Sequence, residues 1–136
     1  MRKIFDFHGG VHPPENKHQS LRGPIRQAGL ADELVLPLSQ HIGAPAQPVV
    51  TVGERVLKGQ VVADAVGFVS VPCHAPTSGE IVAIEDREIA HPSGFAAPCI
   101  VLRPDGQDEW TVLHARPDYQ ALQQHELVEV IRDAGI

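Results

Sequence analysis

Residues 49–84, VVTVGERVLKGQVVADAVGFVSVPCHAPTSGEIVAI, limit the possible folds more than any other part of the chain. Apolar β-formers come in short bursts at 49–52, 61–63, 69–71 and 81–84. Turn residues separate them: Gly53, Gly59, Gly67, Pro72, Pro76 and Gly79. Bursts this short, punctuated this way, read as strands of a compact sandwich or barrel. The first half contains V-G-E-R-V-x-x-G-Q and the second A-P-T-S-G-E-I-V-x-I, each pairing a glycine turn with an apolar strand. Two interlocked hairpin-like layers are expected, rather than a meander.

At 136 residues the chain fits one domain with appendages. Aromatic residues make up only 4% against 43% apolar residues, so the core must be built from Val, Ile, Leu and Ala. No apolar run approaches the roughly 20 residues needed to cross a bilayer. The opening MRKIFDFHGG has no apolar stretch like a secretory signal, so a soluble, cytoplasmic protein is expected. Two cysteines, Cys73 and Cys99, are too few for a disulfide framework. Residues 1–26 carry +3, the remainder −9, giving the net −6. An acidic body argues against nucleic acid, which demands many phosphate-neutralising cations. The basic arm suits an acidic partner or an acidic face of a parent chain, or is an ordinary solvated arm.

Within that arm, Phe7, His8, Gly9, Gly10, Val11, His12, Pro13 and Pro14 mix permissive and rigid backbone, which reads as a fitted interaction loop. Loop follows over residues 16–29. Residues 33–38, broken by Pro37, read as an edge strand. The charged residues 85–88 read as a solvent-facing turn, and His91-Pro92-Ser93-Gly94 as a strong one. Residues 98–102 are expected as a buried strand, Asp105-Gly106 as a hairpin turn, and residues 110–113 as its partner strand. Residues 118–134 lack glycine and proline; Leu122, Leu127, Val130 and Ile131 approximate an apolar helix face, with a break near Gln123 and a stop at Gly135.

Eight histidines raise the question of a metal. Structural zinc sites pair their ligands at two-to-four-residue spacing, which Cys73, His74, His91 and Cys99 do not reproduce; His8 and His12 in the arm would chelate only by chance of loop geometry. Neighbours on a strand face apart, so Cys73 and His74 make neither a chelate nor a nucleophile–base pair. Both cysteines read as small core residues. His8-Gly9-Gly10 opens no helix and is not a nucleotide loop. Two isolated cysteines cannot ligate an iron–sulfur cluster. The residues present are therefore read as non-catalytic, with no cofactor or metal of their own.

The glycine-turn motifs resemble those of the biotinyl/lipoyl-like barrel-sandwich hybrid. The expected fold class is accordingly mainly β, with an N-terminal extended arm (1–32), the hybrid domain (33–116) and a C-terminal helix (117–136). Carriers of that type present a modifiable lysine on the tip between the two halves. Here the tip is Asp64-Ala65-Val66-Gly67-Phe68, without lysine. Lys58 lies in another turn and reads as a solvated residue. His74 and His91 resemble the histidine pair of phosphocarrier domains of distantly similar fold, which leaves a stand-alone phosphocarrier or metal-binding module as the alternative reading.

Five segments in order carry a more specific resemblance: Phe7 to Glu15 (F-H-G-G-V-H-P-P-E), Leu38 to Gly43 (L-S-Q-H-I-G), Val52 to Gln60 (V-G-E-R-V-L-K-G-Q), His74 to Gly79 (H-A-P-T-S-G) and His91-Pro92-Ser93. Together they look like the N-terminal region of the C subunit of the Rnf (Rsx) ion-translocating electron-transport complex. The A subunit of the sodium-translocating NADH–quinone reductase is similar over the hybrid stretch alone. The resemblance implies a peripheral subunit on the cytoplasmic face of the inner membrane, touching the membrane only through its complex. It implies a parent that carries FMN, binds NADH and holds two [4Fe–4S] clusters. That parent moves electrons between NADH and ferredoxin, coupled to ion translocation. In the family the terminal A-G-I leads into the glycine-rich flavin segment. The chain is thus expected to be the N-terminal module alone, partnered by downstream domains of its own chain and by other Rnf subunits.

Overall fold

The computed structural model describes residues 9–10 and 13–136. Its strands are β1 (Leu34–Pro37), β2 (Gln47–Pro48), β3 (Arg55–Val56), β4 (Val61–Asp64), β5 (Cys73–His74), β6 (Gly79–Glu88) and β7 (Ala96–Pro104). A helix, α1 (Gln124–Asp133), follows, and single 3-10 turns lie at Lys17–Gln19 and Tyr119–Ala121. Four strands pair in the order β1-β7-β6-β3 and three in the order β2-β4-β5, all antiparallel. The chain crosses from the larger sheet to the smaller after β1, returns for β3, and crosses twice more before β6. The layers are interlocked, as the duplicated motif demands.

The core lies between them. Val56, Ile81, Ile100 and Leu102 come from the larger sheet, and Val62, Ala63 and Cys73 from the smaller. Leu38, Ala46, Val50 and Ala75 enter from the connections. Each fully buried aliphatic side chain stabilises the fold by about 1.5–3 kcal/mol. In β6 the register shifts between Ile81 and Ala83, so that Ile81 faces Leu102 while Ile84, not Ala83, faces Ile100. Such a bulge bends the strand and reverses the in–out parity beyond it. A plain alternation read through residues 81–84 would miss this.

Several expected elements are displaced. Residues 49–52 form no ladder strand, although Val49 still donates to the Val62 carbonyl. The Thr51 N–H goes instead to the Glu54 carboxylate, which closes the V-G-E-R turn. Residues 69–71 are not a strand either. Ser70 and His41 take the N–H groups of Val66 and Val71, so side chains replace a ladder. Residues 85–88 are not a turn: they continue β6, with Glu85 opposite Cys99 and Glu88 opposite Ala96. Their charge reflects a hairpin that extends past the core. The turn itself is at residues 91–94, where Gly94 donates to the His91 carbonyl at 3.0 Å. Residues 110–113 do not pair with β7. Of these four, Trp110 alone bridges, in parallel, to Lys58.

The edge strand over residues 33–38 is present as β1, whose Leu34 to Pro37 pair with Leu102 to Cys99. The terminal helix breaks near Gln123, where the Glu126 carboxylate accepts the Gln123 N–H at 2.7 Å. It ends as expected, with Gly135 donating to Arg132 and Ile136 to Ile131. Leu122, Leu127 and Val130 are half-buried, but Ile131 is exposed, so the apolar face is narrower than its spacing implies. Among the described residues no helix is long and apolar enough to cross a membrane.

Candidate functional site

The H-A-P-T-S-G turn is the best-connected polar feature of the described chain. Thr77 and Ser78 are buried in it. Burial obliges both hydroxyls to find partners, and both find aspartates of the loop after β7. Thr77 donates to Asp108 Oδ1 at 2.9 Å, and Ser78 to Asp105 Oδ1 at 2.7 Å. The Ser78 hydroxyl also accepts the Glu109 N–H at 3.0 Å. From the V-G-E-R-V-L-K-G-Q half, Arg55 reaches Asp105 and Glu109, each at 2.8 Å, and Lys58 reaches Asp108 at 2.7 Å. Lys58 also lies over the Trp110 ring, 4.7 Å from its centroid. It is therefore not the solvated turn residue its type suggests: its side chain is only 25% exposed. The Asp105-Gly106 pair makes no hairpin because the Asp105 carboxylate takes the Gln107 N–H and these partners.

This clasp sets the electrostatics. The Ser78 hydroxyl and the Gln107 N–H, with a lesser pull from the Arg55 guanidinium, bring Asp105 from its ordinary 3.8 down to about 2, against the opposing effect of burial. Lys58 and Thr77 lower Asp108 in the same way, and Glu109 with Asp105 raise Arg55. A carboxylate with a depressed folded pKa stabilises above its ordinary pKa and loses that contribution as pH falls through the folded value. Asp105 is therefore expected to lose its stabilising effect between about pH 4 and pH 2. Urea midpoints should show Asp105→Asn less stable than the parent protein at pH 6, with the two converging near pH 2.

The lysine-free tip presents apolar side chains. Phe68 is 95% exposed at its end. The tip is nonetheless held: Ser70 accepts the Val66 N–H at 3.0 Å and donates to the Ala44 carbonyl at 3.0 Å, and Arg132 of α1 donates to the Gly67 carbonyl at 2.7 Å. His41 Nε2 accepts the Val71 N–H at 3.3 Å, which leaves Nδ1 to donate to the Ile42 carbonyl at 2.9 Å. The tip and α1 together bound a groove of about 380 Å³ lined by Ile42, Phe68, Val69, Val71 and Ile136.

The remaining candidates are dispersed. Cys73 belongs to the core, and Cys99, also buried, donates to the Ala97 carbonyl from β7. Burial raises both thiols. Two protonated, buried thiols in different sheets do not fit an iron–sulfur cluster. The N-terminus of α1 is occupied by its own Glu126 and offers no phosphate cradle. His74 and His91 line different cavities, and Nδ1 of His91 accepts the Ser93 N–H and hydroxyl. Among the described residues no three metal-ligating side chains cluster. Of the fitted interaction loop, Gly9, Gly10, Pro13 and Pro14 are exposed, while Phe7, His8 and His12 lie outside the described residues. All residues from 13 to 33 are exposed, including the apolar Leu21, Ile25 and Leu30.

Comparison with known proteins accounts for nearly the whole chain. A family described as the RnfC barrel sandwich hybrid domain matches residues 5–107. The C subunit of the ion-translocating oxidoreductase complex of Vibrio cholerae serotype O1 is 55% identical over 134 residues, which cover 98% of this chain and 17% of that protein. Its counterpart in Pseudomonas aeruginosa is 50% identical over 136 residues, covering 100% and 18%. That of Serratia proteamaculans is 47% identical over 134 residues, covering 98% and 19%. The chain thus spans under a fifth of the length of these relatives.

Proposed function

The chain belongs to the RnfC barrel sandwich hybrid domain family, and on that premise we propose that it is the N-terminal, non-catalytic module of the C subunit of an ion-translocating oxidoreductase complex. The parent protein carries FMN, NADH and two [4Fe–4S] clusters on domains outside these residues. Its complex passes electrons between NADH and ferredoxin at the cytoplasmic face of the membrane. The module's work is to pack on the redox domains of its own parent and to hold them among the other subunits. The loop from Phe7 to Pro14 serves as a docking element.

One observation carries this reading: a chain that aligns end to end with a minor share of far longer subunits has a hybrid tip with Phe68 at its end and no lysine. Such a tip cannot carry a lysine-linked prosthetic group, so the scaffold remains as a structural support. The clasp supports the same role, because Arg55 and Lys58 from one motif half and Thr77 and Ser78 from the other all hold the segment leading towards α1.

Removal of residues 1–136 from the full-length protein tests the proposal. The truncated protein is expected to keep its flavin absorption and cluster signals but to lose co-purification with the other subunits. Loss of flavin with assembly intact would overturn it, as would near-stoichiometric flavin on the isolated 136-residue chain.

A further inference from the structure

Both ring nitrogens of His41 are committed, in a way that fixes where its proton sits. Nε2 accepts the Val71 N–H at 3.3 Å, and Nδ1 donates to the Ile42 carbonyl at 2.9 Å. A neutral imidazole has one donor nitrogen and one acceptor, and these two partners use each of them once. Protonation turns Nε2 into a donor as well. It then meets the Val71 N–H donor to donor, and the amide of a half-buried residue loses its acceptor. Imidazole is the side chain whose charge changes between about pH 5 and pH 8.

What His41 holds is the lysine-free tip. Residues 41–44 lie directly against it: Ala44 donates to the Val69 carbonyl at 3.2 Å, and a Cβ at Gly43 would strike that same oxygen. The other ties on residues 66–71 run through the Ser70 hydroxyl, the Ala44 amide and carbonyl, and Arg132 of α1. None of these groups changes protonation near neutral pH. The charged groups on the groove that His41 shares with the tip are Arg132 and the chain-end carboxylate of Ile136. A guanidinium and an α-carboxylate both keep their charge from about pH 5 to pH 8. Asp133, the next residue of α1, lines a different cavity. Among the described residues that line this groove, His41 alone changes its charge in that range.

We propose that His41 is a pH-sensitive latch on the tip. Neutral, it fastens Val71 to the loop after β1 and presents Phe68 on a held segment. On acidification Nε2 takes a proton from water, the Val71 bond breaks, and the second half of the tip is released while Arg132 still grips Gly67. The place where a carrier would display its lysine thus becomes a segment whose firmness follows pH.

Amide hydrogen exchange of the 136-residue chain, followed by NMR and corrected for the intrinsic effect of pH, tests the latch. Protection of the Val71 amide is expected to fall about tenfold from about pH 7.5 to about pH 5.5. The Ile81 amide, which donates to the Glu54 carbonyl at 2.9 Å, is the reference and should hold constant. His41→Gln puts a carbonyl oxygen in the place of Nε2 without a titrating group, and is expected to keep Val71 protected at both pH values. Ring nitrogen shifts of His41 at the higher pH should show the proton on Nδ1 and none on Nε2. The opposite tautomer would overturn the latch. So would equal Val71 protection at the two pH values, or a loss at the lower pH that persists in His41→Gln.

Discussion

An alanine at Gly79 is expected to destabilise the protein by about 3 kcal/mol or more, although it adds a single methyl group. Gly79 begins β6, is buried, and pairs with Val56 on one side and Pro104 on the other. A Cβ there would collide with the Arg103 carbonyl oxygen and press on the Pro104 Cα at 3.0 Å. Both obstacles are backbone, so no rotamer change relieves them. The strand must separate from β7 at the point where Ser78 and Asp105 are joined, which loosens the clasp as well. Urea unfolding should show a lower midpoint for Gly79→Ala. Arg55→Lys, which keeps the charge but loses the fork, should shift it by well under half as much. A Gly79→Ala protein with an unchanged midpoint would mean that β6 and β7 lie further apart than described.

Leu102→Ala is the second large effect, about 2–5 kcal/mol, from a cavity rather than a clash. Leu102 is fully buried, faces Ile81 across the hairpin and Leu34 across the edge, and belongs to the shared core. Close pairing on both sides leaves the backbone little room to collapse into the space. Truncation therefore costs the lost transfer energy together with the void. A fall in Tm on the order of 10 °C is expected, read by circular dichroism, with the urea m-value unchanged. Val35→Ala, on the neighbouring edge strand β1 and exposed, should move the Tm by only a degree or two.

The contrast between these residues shows what could be read before the fold was known. The interlocked layers were legible because glycine and proline mark turns through backbone sterics that hold in any context. The edge position of β1 was legible from Pro37, and the break near Gln123 and the stop at Gly135 from local chemistry. Strand extents were not. Residues 69–71 are as rich in β-formers as residues 61–63, but the Ser70 hydroxyl goes to the Ala44 carbonyl and the Val71 N–H to His41, partners 26 and 30 residues away. Charge misled over residues 85–88, since solvent exposure is shared by turns and by the far end of a hairpin.

The site was legible in a different sense. The missing lysine at 64–68 could be seen in the sequence, but nothing local announced that Phe68 would stand beside the end of α1. The clasp escaped for a similar reason. Ser78 and Asp105 are ordinary turn residues until tertiary structure buries the hydroxyl and forces it to find an acceptor. A serine in a glycine turn, matched by an Asx-turn aspartate some thirty residues on, is the only signal that could have suggested it.

The pairing of β1 with β7 also governs when the molecule can come into being. Leu34 waits for Leu102, and Arg55 for Asp105, so a nascent chain that has emerged only through its first ninety residues has neither its edge nor its fastening. Closing such long loops is slow, on the order of milliseconds to seconds for β architectures of this kind. The ribosome must therefore deliver almost the whole hybrid before any of it becomes durable. Translation pauses before residue 105 would leave the valine-rich early strands open to chaperones and to one another.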